Sequence, residues 1–175
     1  MKLFIGCASS DEIPDNYKND CNEVINRLLK NNDLVFGAYD KGLMGKCLEV
    51  AKSNHNKVTG IANKMYEQEL NKLGCDKTIV TDTIIDRTKA LLEECDAIVF
   101  LPGGIGTINE IFAAIDSKRS GELFKKIVIY NPYNYYGYLL QFLDRLYEEK
   151  FTSDTVKDCY YVAYSLYDLV NYLGI

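Results

Sequence analysis

The stretch Asp96-Ala-Ile-Val-Phe-Leu-Pro-Gly-Gly-Ile-Gly-Thr-Ile-Asn-Glu110 limits what this chain can fold into more than any other. Ile98, Val99, Phe100 and Leu101 form an unbroken apolar run, the mark of a strand buried on both faces. Pro102 stops the strand. Gly103, Gly104 and Gly106 then supply a backbone that takes positive φ and lets a ligand come close. Thr107 opens a second apolar pattern, Ile108, Ile111, Phe112 and Ile115, at helical spacing. Strand, glycine loop and helix start together make an anion site. The first-turn N–H groups have no helical acceptors, and the helix dipole favours negative charge. A phosphate group is the natural occupant.

The rest of the chain repeats the same alternation. Lys2–Ala8 reads as a strand. Tyr17, Cys21, Val24, Ile25, Leu28 and Leu29 then line one face of an amphipathic helix. Leu34–Phe36 is a second strand, followed by the glycine-bearing turn Gly37–Gly45 and a helix to Ser53. Val58–Ala62 and Thr78–Val80 read as strands with a helix at Lys64–Leu73 between them. Asp82 or Thr83 can cap the next helix, in which Ile84, Ile85, Leu91, Leu92 and Cys95 form the apolar stripe. Strand Ile127–Tyr130, a helix through Tyr135, Leu139, Phe142 and Leu146, strand Tyr161–Tyr164 and a helix from Leu166 complete the pattern. Such alternation predicts an α/β fold. It would be one Rossmann-like domain over residues 1–175, with a mostly parallel sheet of six or seven strands and helices on both faces.

Several function classes are disfavoured. A net charge of -5 does not advertise nucleic-acid or acidic-membrane binding. No window approaches the roughly 18 apolar residues of a membrane span. The start, Met1–Cys7, looks like a lipoprotein signal, but its apolar part is far shorter than the ~7–15 residues of a signal core, so it reads as the first strand. The six cysteines contain no C-x-x-C pair. They read as reduced thiols of a cytoplasmic protein, not as metal ligands. His55, the single histidine, sits in the polar run Lys52–Lys57, so no metal site or Ser-His-Asp arrangement is expected.

Two common nucleotide signatures fail. A G-x-G-x-x-G fingerprint starting at Gly104 and Gly106 would need glycine where Asn109 stands. Gly37 and Gly42 have the gap of a Walker A loop, but Leu43-Met44 occupies the place of its Lys-Ser/Thr. What remains is two glycine-rich turns, each following a strand, which an open α/β sheet gathers at its carboxyl edge.

Pro102-Gly-Gly-Ile-Gly-Thr-Ile-Asn-Glu110 resembles the P-G-G-x-G-T-x-x-E motif of the LONELY GUY (LOG) family. These are cytokinin riboside 5′-monophosphate phosphoribohydrolases that long carried a lysine decarboxylase label. Gly42-Leu-Met-Gly45 resembles the family's second glycine segment, and Arg87 precedes Pro102 by the fifteen residues at which the family has its active-site arginine. The chain departs from the family at four places. It has Gly37-Ala38-Tyr39 where three glycines are usual, and Arg87-Thr88 with Lys89 where Arg-Lys is usual. Asn109 replaces the first acid of a Glu-Glu pair, and Ser117 stands near a frequent tryptophan.

The resemblance implies hydrolysis of the N-glycosidic bond of a nucleoside 5′-monophosphate, AMP or an N6-modified AMP, without cofactor or metal and in a homodimer. Glu110 and Arg87 would be catalytic. Gly103, Gly104, Ile105, Gly106 and Thr107, with Gly37, Gly42, Met44, Gly45, Ser9 and Lys89, would bind substrate and its phosphate. Structural roles compete for the same residues. Thr107 to Glu110 has the spacing of a capping box, Arg87 can pair with Asp86 as well as with Glu110, Gly42 and Gly45 can serve packing, and Ser9 can cap a loop. A carrier of a phosphorylated ligand, resembling the molybdenum cofactor carriers, is the alternative function. A pyridoxal-phosphate decarboxylase fits worst, since no lysine sits in a recognisable Schiff-base setting.

Overall fold

The computed structural model describes all 175 residues. Seven strands form one sheet: β1 (Lys2–Gly6), β2 (Asp33–Phe36), β3 (Val58–Asn63), β4 (Lys77–Thr81), β5 (Ala97–Phe100), β6 (Lys126–Tyr130) and β7 (Tyr161–Ala163). Their order is β4-β3-β2-β1-β5-β6-β7, and every neighbouring pair is parallel. The expected α/β class is thus the observed one, with the whole sheet parallel. Seven α-helices join the strands: α1 (Asp15–Leu28), α2 (Gly42–Ser53), α3 (Glu67–Lys72), α4 (Ile84–Glu93), α5 (Ile105–Arg119), α6 (Gly137–Glu148) and α7 (Leu166–Leu173).

Strand alternation divides the core in two. Leu3 and Ile5 of β1 and Val99 of β5 pack with α1, α2 and α7 on one face of the sheet. Phe4, Ile98 and Phe100 point the other way, into a layer closed by Leu91 of α4, Ile111 of α5 and Leu143 of α6. Burial on both faces explains why the central strands carry continuous apolar runs. The chain runs outward from β1 through β4 and then crosses back by α4 to β5 on the other side of β1. That reversal puts the switch point, where open α/β sheets bind ligands, between the carboxyl ends of β1 and β5.

Several element boundaries differ from the sequence reading. β1 stops at Gly6, because the Ala8 N–H leaves the ladder to bond the Pro102 carbonyl at 3.0 Å. Helix α5 starts at Ile105, two residues before the first apolar repeat at Thr107. The segment 64–73 divides into a short 3-10 turn, Lys64–Tyr66, and α3. All six cysteines are free thiols. No helix is long and apolar enough to cross a membrane.

Candidate active site

The β5 motif opens onto the switch point. Gly104 is the N-cap of α5, in extended conformation and with no side-chain cap. The first helical bond runs from Ile108 N–H to the Gly104 carbonyl at 3.0 Å. The N–H groups of Ile105, Gly106 and Thr107 therefore have no helical acceptor. A Cβ added at Gly104 or Gly106 would meet nothing within 4 Å, so this backbone faces open space. Two tyrosines hold the loop from behind. The Tyr135 hydroxyl donates to the Gly103 carbonyl and the Tyr136 hydroxyl to the Leu101 carbonyl, each at 2.7 Å.

One turn into α5, Glu110 is only 3% exposed. Its Oε1 accepts from Arg87 Nη1 at 3.2 Å, so the side chain does not fold back to close a capping box. Its Oε2 is buried with no partner, and it lies 3.1 Å from where a Cβ on Gly6 would stand. Burial pushes the carboxyl above the usual carboxylate range, and the Arg87 charge and hydrogen bond pull it back in part.

Arg87 comes from the first turn of α4, whose N-cap Thr83 accepts from Asp86 N–H at 3.1 Å. Asp86 is occupied by that cap and is not the partner of Arg87. The guanidinium is fixed at once from strand β3, from the turn after β2 and from helix α5. Nε donates to the Ile61 carbonyl and Nη2 to the Gly37 carbonyl, both at 3.2 Å, while Nη1 holds Glu110. Gly37 has to be glycine, because a Cβ there would collide with Arg87 Nη2. Of the five N–H donors of an arginine, two remain for a ligand.

These groups border a cleft of about 500 Å³, within the range of small-molecule sites. Of the residues expected from sequence, it gathers Ser9, Gly37, Met44, Arg87, Gly104, Ile105, Gly106, Thr107 and Glu110. Others fall outside it. Gly103 is covered by the Thr107 side chain. Gly42 and Gly45 border a separate polar groove with Asp11 and Lys46. The Gly42 N–H is spent on Asp11 Oδ1 at 2.7 Å, which favours the packing role for this segment.

Lys89 also lies outside the cleft. It is 73% exposed, pairs loosely with Glu93, and lies in a different groove between α4 and α5. Two residues beyond Arg87 on a helix it is turned by about 200°. In return the cleft contains Cys7, Tyr39, Asn63 and Tyr66, which motif reasoning missed. Their signal was position, just at or beyond the carboxyl ends of β1, β2 and β3, where the sheet rule puts ligand contacts.

Chemically, the cleft combines unpaired amides for an anion, a desolvated carboxylate and a guanidinium beside it. Glu110 is its single carboxylate, and no lysine lines it. It does not offer the paired carboxylates of a common glycosidase. What it does offer is one acid able to stabilise a developing cation and to accept a proton from water.

Residues 44–173 match the model of the family described as "Possible lysine decarboxylase". Over 174 residues the chain is 29% identical to the cytokinin riboside 5′-monophosphate phosphoribohydrolase LOG3 of Arabidopsis thaliana, covering 98% of this chain and 81% of that protein. It is 31% identical over 126 residues to the cytokinin riboside 5′-monophosphate phosphoribohydrolase of Mycobacterium tuberculosis, covering 71% and 67%. Among solved structures, the molybdenum cofactor carrier protein of Chlamydomonas reinhardtii superposes with a TM-score of 0.73 at 17% identity, over 99% of this chain and 95% of that one. The molybdenum cofactor binding protein of Rippkaea orientalis gives 0.66 at 18%, over 99% and 94%.

Proposed function

The chain belongs to the family described as possible lysine decarboxylase, which takes in the LOG phosphoribohydrolases; on that premise we propose that it hydrolyses the N-glycosidic bond of a nucleoside 5′-monophosphate to free base and ribose 5-phosphate. The observation that carries this reading is Glu110: nearly inaccessible, one oxygen on Arg87 and the other without a partner, at the edge of an amide cradle. The amides of Ile105, Gly106 and Thr107 receive the phosphate. The sugar lies across Glu110, whose carboxylate stabilises the oxocarbenium character that develops as the base departs. The same carboxylate orients water at C1′ and takes its proton as the O–C1′ bond forms, while the base leaves with the electron pair of the broken N–C1′ bond and takes up a proton from solvent. General-base assistance of this kind is worth roughly 10²–10⁴-fold. Arg87 offsets part of the rise that burial imposes on the Glu110 carboxyl, and so favours its ionised form, and it offers its two free N–H groups to the ribose or phosphate.

The likeness to molybdenum cofactor carriers is one of fold. The relatives named as phosphoribohydrolases match in sequence as well as fold, so hydrolysis is the better reading. A decarboxylase acting through a Schiff base lacks its lysine in the cleft. We also propose a cytoplasmic homodimer. Ile85 and Ile105 are 81% and 83% exposed at the starts of α4 and α5, Ile85 lining a groove between these helices and Ile105 the rim of the cleft, and a second copy would cover them.

Incubation with AMP, other nucleoside monophosphates and N6-substituted AMP, followed by chromatography, tests the activity. Base and ribose 5-phosphate in equal amounts are expected. Intact nucleotide throughout would overturn the reading.

A further inference from the structure

We propose that Tyr39, Asn63 and Tyr66 form the subsite for the base of the nucleotide, and that this subsite takes a planar nitrogen heterocycle by stacking and one donated hydrogen bond. The inference deepens the phosphoribohydrolase reading and rests on it for the direction in which the nucleotide lies.

The sheet order sets the direction. β5, β1, β2 and β3 stand side by side, and three inter-strand spacings span about 14 Å, enough for an extended nucleoside monophosphate. The amide cradle follows β5. Glu110 Oε2 lies against Gly6 at the end of β1. Arg87 clasps the Gly37 carbonyl just past β2 and the Ile61 carbonyl in β3. With phosphate on the cradle and C1′ at Glu110, the base continues in the same direction, over the ends of β2 and β3.

The residues that line the cleft there have the chemistry a base requires. Tyr39 and Tyr66 are the two aromatic residues among the sixteen that line it, and Tyr66 is 50% exposed. Aromatic faces accept any base by stacking. Asn63, the last residue of β3, accepts Met65 N–H on its Oδ1 at 3.1 Å. That bond fixes which end of the amide is oxygen and leaves the NH₂ group as a donor for an unprotonated ring nitrogen. The donor sits on a paired strand, opposite Thr81 of β4, and is therefore rigidly placed. Nothing else in the proposed mechanism uses these three side chains.

The test compares two ligands that differ only in the base. In protein carrying Glu110→Gln, to prevent turnover, AMP and ribose 5-phosphate are titrated calorimetrically, with and without Tyr39→Ala, Tyr66→Ala or Asn63→Ala. Each tyrosine change is expected to weaken AMP about tenfold, near the low end of base–aromatic stacking. Ribose 5-phosphate should change by less than about twofold, and Tyr39→Phe and Tyr66→Phe should restore AMP binding. Parallel weakening of both ligands, an unchanged AMP affinity, or no AMP binding by the parent would overturn the subsite. Failure of the hydrolase reading shows separately, as absence of base release by the unmutated protein, while the ratio of the two affinities still decides the subsite.

Discussion

Replacing Arg87 by alanine should alter stability and the pH dependence of catalysis together, with a sign that follows from Glu110. The guanidinium is 18% exposed and makes three bonds, to the carbonyls of Ile61 and Gly37 and to the Glu110 carboxylate. Without it the Gly37 carbonyl, which borders the cleft, can bond water, but Glu110, nine-tenths or more removed from solvent, cannot. Leaving a buried charge unpaired costs about 3–5 kcal/mol, and partial exposure of Arg87 puts this case at the low end. For a domain of this size ~3 kcal/mol lowers Tm by about 6–12 °C.

The pH dependence has a definite direction. Glu110 is already raised by burial, and Arg87 is what lowers it, so the variant holds the acid higher still. A folded-state pKa above the unfolded value means that the native state binds the extra proton and loses stability as pH rises. The difference in stability between parent and variant should therefore be largest at pH 8. It should shrink as pH falls toward the unfolded carboxylate value near 4.3. The ascending limb of kcat/KM against pH should move to higher pH in the variant. Urea unfolding at pH 5 and 8, with a pH–rate profile, measures both. A stability loss independent of pH, or an unmoved ascending limb, would refute the electrostatic coupling.

Other substitutions separate binding from folding. Gly104→Ala places its methyl in open space where the anion is to sit; Tm should stay within about 2 °C while affinity for ribose 5-phosphate falls at least tenfold, about 1.4 kcal/mol. Gly37→Ala meets the guanidinium instead, so both stability and turnover should drop. Ala38 is held at φ +56°, a strain that Ala38→Gly relieves, with an expected gain of about 1 kcal/mol in denaturant unfolding. Tyr135→Phe removes the hydroxyl that holds the Gly103 carbonyl; it should weaken phosphate binding several-fold and cost about 1 kcal/mol of stability.

The layers of the fold were legible because the code for them is local. Continuous apolar runs such as Ile98–Leu101 mean strands covered on both faces, and the stripe Cys21, Val24, Ile25, Leu28 means a helix on one of them. Boundaries were less legible, because tertiary bonds set them. α5 begins early, since a glycine N-cap needs no apolar residue, and α6 begins late because Tyr133 and Asn134, at φ +52° and +57°, interrupt the chain before it. Glu110 and Arg87 could be singled out by motif and spacing, yet the clasp of Arg87 by two carbonyls involves backbone from β3 and the β2–α2 turn, which no spacing encodes. Lys89, which the family's Arg-Lys pair suggested for the site, lies outside the cleft, because two residues beyond Arg87 on a helix is a different face. Asn63 and Tyr66 belong to no motif, and Tyr39 stands where the family usually has glycine; they meet only because β2 and β3 are neighbours.

Base release from a single turnover of nucleoside 5′-monophosphate, measured side by side for the unmutated protein and Glu110→Gln, bears most directly on the account. The prediction is prompt appearance of base with the former. With the latter the rate should be 10²- to 10⁴-fold slower, at nucleotide concentrations that saturate both. Equal rates would show that the buried acid takes no part in the chemistry and would contradict the mechanism at its centre.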